Sequence, residues 1–224
     1  MPGGVGYPAA VGGCNLAVVS PPRPPSSTGQ GQLDWDRVER WTAQIAAGNL
    51  RSINRAFQGR TEHAPRILWR PAPEQLTAAP LRFLAEYWQE LCSEGRLPHH
   101  RQVDPLAMRP ALGYIMLVDA VEGGRDFRYR LYGSIIARVS GVDLTGRLLS
   151  HHPASIYVTE FGLAAYRAAL VLRAPLYTER APALAERTML WQRIALPLVD
   201  DAGEVTRFLV ATVPLSRAGR ILTA

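Results

Sequence analysis

YIMLVDAVEGGRDFRYRLYG, residues 114–133, is the stretch of this chain that decides its fold. Residues 114–121 are rich in apolar and β-branched side chains, and residues 127–132 alternate apolar and basic ones, which is typical of β-strands. Between them lies a cluster of glycines and charged residues, 122–126, which is typical of a turn. The stretch therefore predicts an antiparallel hairpin in which alternate residues of each strand face the core.

Helices and further strands are predicted around this hairpin. Before it, residues 81–94 carry apolar side chains at helical spacing and end at Gly95, a natural helix stop. After it, apolar periodicity predicts one long helix and three strands, at residues 155–172, 175–180, 187–199 and 205–213. This order predicts an α+β fold: a five-stranded antiparallel sheet with helices on one face, preceded by N-terminal helices.

The first third of the chain predicts no second domain. It begins with a stretch rich in Gly, Pro, Ser and Ala, which buries too little apolar surface to offset the entropy of ordering. A short amphipathic helix follows, with Trp35, Val38, Trp41 and Ile45 on its apolar side, and then a proline-rich linker. We therefore divide the chain into a disordered segment, a helix and linker, the folded domain and a tail, at residues 1–32, 33–78, 79–216 and 217–224.

Composition narrows the classes of function. The net charge is +6, and all 25 basic residues are arginines spread singly along the chain, without the basic run typical of a nucleic-acid arm. Nucleic acid is therefore not an expected partner. Two distant cysteines, Cys14 and Cys92, form neither a metal motif nor a disulfide framework. No apolar run is long enough to span a membrane. These observations predict a cytoplasmic protein that is not anchored in a membrane.

Six short motifs in chain order carry a resemblance to a known family. They are FLAEYWQEL (83–91), DPL (104–106), FRYRLYGS (127–134), GVDLTGR (141–147), PLY (175–177) and LPL (196–198) before an Asp-Asp-x-Gly turn. Together they resemble a bacterial family of PAS domains found mainly in alphaproteobacteria. The resemblance implies a sensory or regulatory module that binds a small molecule between sheet and helices, dimerises and signals to a protein effector.

A ligand pocket is expected on the inner face of the predicted sheet. On the strand at 187–199, alternate residues share one face, and a single glutamine there among apolar neighbours could orient a ligand. Bonding of that glutamine to nearby backbone, and plain core packing of Tyr129, are the competing interpretations. The candidate ligand-binding residues are Tyr129, Leu131, Phe161, Leu190, Gln192 and Ile194. Their largely aliphatic character predicts a small apolar or weakly polar ligand.

Metals and common cofactors find little support in the sequence. The pairs His99-His100 and His151-His152 are interpreted as solvated loop residues, since no carboxylate or cysteine follows at ligand spacing. The resemblance would place a haem-ligating histidine on the long helix and a flavin-reactive cysteine before it, and both are missing. We therefore predict no metal site, and the cofactor is left unassigned with haem and flavin disfavoured.

Catalysis is not predicted. The sequence shows no nucleophile elbow, phosphate-binding glycine loop or HExxH motif, and its carboxylates are scattered. Two rival functions remain open. A small α+β enzyme would place ionisable groups with shifted pKa values in the pocket between sheet and long helix. A nucleic-acid binder would gather Arg128, Arg130, Arg193 and Arg207 on one exposed face.

The helix at 81–94 is the predicted dimer interface. Its apolar stripe consists of Leu81, Leu84, Trp88 and Leu91, and a helix of this length must bury such a stripe against something. The apolar side of the earlier amphipathic helix offers a second such surface. Two apolar surfaces in one small chain favour a homodimer.

Overall fold

A six-stranded antiparallel sheet and five α-helices form the computed structural model, which describes residues 32–60, 64–181 and 190–223. The helices are α1 (Trp35–Ala46), α2 (Arg51–Phe57), α3 (Ala79–Leu91), α4 (Ser134–Ser140) and α5 (Ile156–Leu172). The strands are β1 (Arg66–Trp69), β2 (Ile115–Val121), β3 (Asp126–Tyr132), β4 (Leu176–Arg180), β5 (Leu190–Val199) and β6 (Val205–Leu215). In space they follow the order β1-β4-β5-β6-β2-β3. The predicted α+β class and the central hairpin are confirmed.

The sixth strand comes from the segment interpreted as a linker. β1 pairs antiparallel with β4, from Arg66 opposite Glu179 to Trp69 opposite Leu176. The Trp69 indole N–H also donates to the Ile45 carbonyl oxygen of α1 at 3.0 Å. The linker prediction missed both elements because they are short: β1 has four residues between two prolines, and α2 has seven residues. The predicted disorder of residues 1–32 falls, except for its last residue, outside the described residues.

Both faces of the central strands are buried, which the sequence prediction did not anticipate. On β6, Phe208 and Val210 pack in the cluster that contains α5, whereas Leu209, Ala211 and Val213 pack in the cluster that contains α3. The helix α5 therefore covers one face of the sheet, while α3, one of the helices that precede the hairpin, covers the other. An antiparallel strand buried on both sides loses the alternation of apolar and polar residues that would reveal its orientation.

The helix predicted as a dimer interface lies in the core of its own chain. Leu81 and Leu84 of α3 are fully buried against the sheet, and Trp88 is 7% exposed. The Trp88 indole N–H donates to the Pro197 carbonyl oxygen of β5 at 2.9 Å. Leu91 is partly buried against the same cluster. Most of the surface predicted for the dimer is therefore used within the chain, because the sheet needs a second cover and α3 supplies it.

The first helix also packs inside the chain, against α5. Asp34 caps α1 by accepting a hydrogen bond from the Arg37 amide, as expected for an aspartate at this position. Val38, Trp41 and Ile45 are buried in the same cluster as α5. Because α5 lies between the sheet and α1, most of its residues from 159 to 169 are buried on all sides. The apolar side of α1 therefore needs no second subunit to cover it.

A buried carboxylate fastens α1 to α5. The side chain of Glu160 is 0% exposed and accepts hydrogen bonds from the Asp34 backbone N–H and from the Arg37 guanidinium, both at 2.9 Å. Burial raises the pKa of Glu160, while these two donors act in the opposite direction. Burying a carboxylate away from water costs free energy, and the two donors offset that cost.

Truncating a core residue of α3 should lower stability without changing the oligomeric state. We expect Leu84→Ala to reduce the free energy of unfolding by about 2–5 kcal/mol, because it leaves a cavity in a fully buried site. Urea denaturation measures the change. The control is Leu106→Ala, since Leu106 is 72% exposed and should change stability by about 0.5 kcal/mol or less. If the wild type is a dimer and Leu84→Ala is a monomer of unchanged stability, α3 forms the dimer interface after all.

Removing the partner of Glu160 should loosen the packing of α1. We expect Arg37→Met to lower the free energy of unfolding by about 1–3 kcal/mol, because a buried carboxylate loses a charged donor. The matched control is Arg40→Met on the same helix. The Arg40 side chain is 62% exposed, and its guanidinium lies 4.0 Å from the Asp34 carboxylate, so it makes only a weak ion pair. Equal stabilities of the two variants would show that Glu160 does not depend on Arg37.

Candidate functional site

Three of the predicted ligand residues lie on the face of the sheet that α3 covers. Leu190 and Ile194 belong to the apolar cluster around α3. Gln192, on the same side of β5, is buried, and its amide donates to the Thr77 hydroxyl at 3.0 Å and to the Glu179 carboxylate at 3.2 Å. The glutamine is thus engaged by neighbouring side chains, and these three residues do not face α5.

The other three predicted residues are also separated. Tyr129 is buried in the cluster that contains α5. Leu131 is 43% exposed, because the pairing of β2 with β3 shifts register between Leu117 and Val118. Phe161 packs edge-on against Phe57 of α2, with ring centroids 5.9 Å apart. The structure therefore brings no common pocket together from the six predicted residues, and Tyr129 alone lies at the site described next.

The register shift turns a second tyrosine inward. Tyr132 packs against the α5 cluster, and its ring meets that of Tyr129 edge-on with centroids 5.3 Å apart. Burial raises the pKa of Tyr129 well above its ordinary value, and burial also raises the pKa of Tyr132. Both phenols are therefore neutral near pH 7 and can donate a hydrogen bond.

An arginine occupies the centre of this face of β5. Arg193 pairs with Thr178 of β4 on one side and with Thr212 of β6 on the other, so the three side chains form a row across the sheet. Both threonines are buried, and the Arg193 side chain is partly buried. The Arg193 Nε–H donates to the Thr212 hydroxyl oxygen at 3.1 Å. This bond fixes one edge of the guanidinium and leaves its two terminal nitrogens for other partners.

A tyrosine of α5 lies against the guanidinium. The Arg193 Cζ atom is 5.7 Å from the ring centroid of Tyr166, within the range of a cation–π contact. Burial raises the pKa of Tyr166, and the nearby arginine opposes that effect. The Tyr166 hydroxyl is buried close to Arg193 but in a geometry short of a hydrogen bond, and no other described residue pairs with it. Buried hydroxyls are almost always satisfied, so this one is suited to a further partner.

The loop before α5 adds a histidine. His152 is partly buried, and its Nδ1 accepts a hydrogen bond from the Ala154 amide at 3.0 Å, so the neutral ring carries its proton on Nε2. Burial lowers the pKa of His152 to about 3, and the Arg180 and Arg193 guanidiniums add to the effect. The interpretation of this residue as a solvated loop histidine was wrong.

These groups form one site, which we name the Arg193 cluster and define as Arg193, His152, Tyr129, Tyr132 and Tyr166. It combines a guanidinium with several neutral donors on the α5 side of the sheet. Within the described parts of the chain, no carboxylate forms an ion pair with Arg193; the contacts found are those to Thr212 and Tyr166. The chemistry of the cluster therefore suits an anion.

Sequence reasoning recovered part of this site. The alternation along β5 correctly separated Gln192 from Arg193, but the predicted residues of this strand lie on the α3 side, because both sides of the strand are apolar. The signal that could have found the site is the arginine itself, a charged side chain within the run LWQRIALPL. Tyr166 carried no such signal, since a tyrosine on a buried helix is most often a core residue.

The described residues contain neither a metal-binding group of side chains nor a membrane-spanning helix. In residues 32–60, 64–181 and 190–223, no group of three or more His, Cys, Asp or Glu side chains is placed to hold a metal ion. His99 Nε2 lies 3.1 Å from Asp201 Oδ1, and the same carboxylate accepts two hydrogen bonds from the Arg101 guanidinium. None of the helices in the described residues is long and apolar enough to cross a bilayer.

The environment of His152 should be visible in the pH dependence of stability. The folded pKa of about 3 lies below the ordinary value of 6.5, so the unfolded chain binds the extra proton between these limits. Stability should therefore rise with pH across this window, by up to about 1.4 kcal/mol per pH unit. His152→Asn, which keeps an acceptor for Ala154, should flatten the slope measured by urea denaturation. The control His151→Asn changes an exposed neighbour, and an equal flattening there would contradict the assignment.

One family model matches the chain. It is that of the PAS domain, and the match covers residues 76–212, more than half of the 224 residues. No curated protein matches the chain, and no solved structure does. The matched residues run from the entry of α3 into β6 and include every residue of the Arg193 cluster. The chain therefore belongs to the PAS domain family.

Proposed function

We propose that this PAS domain is a sensory or regulatory module that binds a small organic anion at the Arg193 cluster and signals through a protein partner. The single observation that supports the anion is the position of Arg193, a cation on the α5 side of the sheet that lies beside Tyr166 and forms no ion pair with a carboxylate of the described residues. The family supports the sensory role in general terms. The class of ligand rests on the residues of the cluster.

Electrostatics favour an anion over an apolar ligand. A guanidinium withdrawn from water is costly unless an opposite charge and hydrogen bonds compensate it. Carboxylates and phosphates match the guanidinium geometry with two parallel hydrogen bonds. The hydroxyls of Tyr129 and Tyr166 and the Nε2–H of His152 could complete the shell, since all are neutral donors. This proposal replaces the apolar or weakly polar ligand predicted from the sequence.

The rival enzymatic function is the weaker proposal, although ionisable groups with shifted pKa values do converge here. An efficient general acid or base has a pKa near the working pH. The His152 pKa of about 3 and the raised pKa values of Tyr129 and Tyr166 move these groups away from neutrality. Fixed protonation states suit recognition, so we retain a binding role without catalysis.

A nucleic-acid role is also the weaker proposal. It required four arginines on one exposed face, and Arg193 points toward α5 instead. Two of the others, Arg130 and Arg207, both form ion pairs with Asp119. Of the three that do not point toward α5, this leaves Arg128 alone without a carboxylate partner in the described residues, which is little for a phosphate-binding surface.

Assembly and location stay proposals. PAS domains commonly mediate protein interactions and dimerisation, so we retain a homodimer and an unidentified protein effector as expected partners. The surface predicted for the dimer is used within the chain, and the interface is left unassigned. A cytoplasmic location rests on the absence of a disulfide pattern in the sequence.

A thermal-shift screen of the full chain against small carboxylates and phosphate esters tests the proposal. A ligand at about 100 times its Kd raises the free energy of unfolding by about 2.7 kcal/mol, which raises Tm by several degrees. We expect at least one anion to do this for the wild type and none for Arg193→Gln. The variant keeps a donor for Thr212 but loses the charge.

Two controls separate charge at this site from charge in general. Arg130→Gln, which removes a guanidinium that is 60% exposed on β3, should respond to the anion like the wild type. The uncharged amide analogue of the anion should bind neither protein. The proposal is wrong if anions stabilise Arg193→Gln as much as the wild type, or if no anion stabilises the wild type.

A further inference from the structure

A cavity lies away from the Arg193 cluster, beside the end of α3. Its volume is about 670 Å³, in the range of pockets that hold small molecules. It is bounded by the turn after α3, the end of α5 and the turn between β5 and β6. Trp88, Leu97 and Val199 give it an apolar wall, while Arg70, Arg96 and Arg173 supply charge from three separate segments.

The charged side chains that line this cavity are all arginines. The described residues that line it include three arginines and no carboxylate. Arg96 and Arg173 pair with Glu94 and Glu204, but all four side chains of these pairs are at least 45% exposed, and exposed ion pairs hold their partners weakly. The Arg173 guanidinium is also oriented by a 2.7 Å hydrogen bond to the Gly203 carbonyl oxygen. The cavity is therefore electropositive beside an apolar wall.

Two of these arginines hold unusual backbone conformations. Arg70 has φ of 47° and Arg173 has φ of 49°, in the left-handed region that favours glycine. Arg70 also precedes a proline, which restricts its backbone further. Such conformations cost about 1 kcal/mol or more and concentrate at functional sites. Glycine would adopt this backbone conformation with less strain at either position. The strain is therefore offset only by what the arginine side chain does there, which is to supply a guanidinium.

We propose that this cavity is a second binding site, for a small organic anion that joins a carboxylate or phosphate group to a flat apolar body. The arginines would receive the charged group, and the wall at Trp88 would receive the apolar body. The inference does not rest on the Arg193 cluster. It concerns different residues, and either site can bind without the other.

The experiment is a titration of the ¹⁵N-labelled full chain with phenyl phosphate and, in parallel, with benzoate. We expect the amide signals of Gly95 and Gly203 and the indole signal of Trp88 to shift with one or both probes. Arg70→Gly should weaken binding by about tenfold or more, as expected for the loss of a charged donor. Its Tm should equal or exceed that of the wild type, because glycine relieves the strained backbone.

Three further variants make the outcome specific. Arg70→Lys keeps the charge and should bind within about threefold of the wild type, whereas Arg96→Gln should weaken binding. Arg82→Gln, an exposed change on α3 outside the cavity, should bind normally, and so should Arg193→Gln. The inference is overturned if neither probe shifts these signals at millimolar concentration, if Arg70→Gly binds as well as the wild type, or if Arg193→Gln abolishes the shifts.

Discussion

Burial of the central strands on both faces is the constraint on which the rest of this structure depends. β5 and β6 place apolar side chains alternately toward α3 and toward α5. A sheet of this kind cannot leave either face in water without exposing a large apolar area. The chain must therefore supply two covers, and α3 and α5 are those covers. A helix that would otherwise be free for a second subunit becomes part of the core.

The same constraint explains the N-terminal helices. Once α5 lies on the sheet, its outer side is still apolar and needs a further layer. α1 provides this layer, and the hydrogen bonds from Asp34 and Arg37 to Glu160 fix its position. A buried carboxylate on the side of α5 that faces α1 is compatible with the core because α1 brings its donors. The helix α1, which precedes the family match, is thus packed on the domain.

A charged side chain between the sheet and α5 is costly in such an apolar core, so a functional reason for Arg193 is expected. Arg193 is held by the Thr212 hydroxyl and lies beside Tyr166, which orients the guanidinium without neutralising it. The pKa of His152 is lowered in the same place, so the histidine adds a donor and no second positive charge. A site that combines a guanidinium with several neutral donors is suited to an anionic group, because a guanidinium withdrawn from water is costly without an opposite charge.

The sequence was most informative where its apolar pattern has a clear period. The hairpin of β2 and β3, the amphipathic pattern of α1 and the long helix α5 were all predictable on that basis. The face of β5 that lines the site was not, because residues on both of its sides are apolar. Leu131 was misplaced by the register shift beside Val118, which leaves no mark in the sequence. His152 looked like a loop residue, and only the packing of distant segments buries it.

A crystal structure grown with the anion that gives the largest thermal shift would test the central claim most directly. We expect electron density for that anion between β5 and α5, with its oxygen atoms within hydrogen-bonding distance of the Arg193 terminal nitrogens and the Tyr166 hydroxyl. An Arg193 guanidinium paired with a carboxylate of the chain itself, with the anion bound elsewhere, would contradict an anion site at the Arg193 cluster.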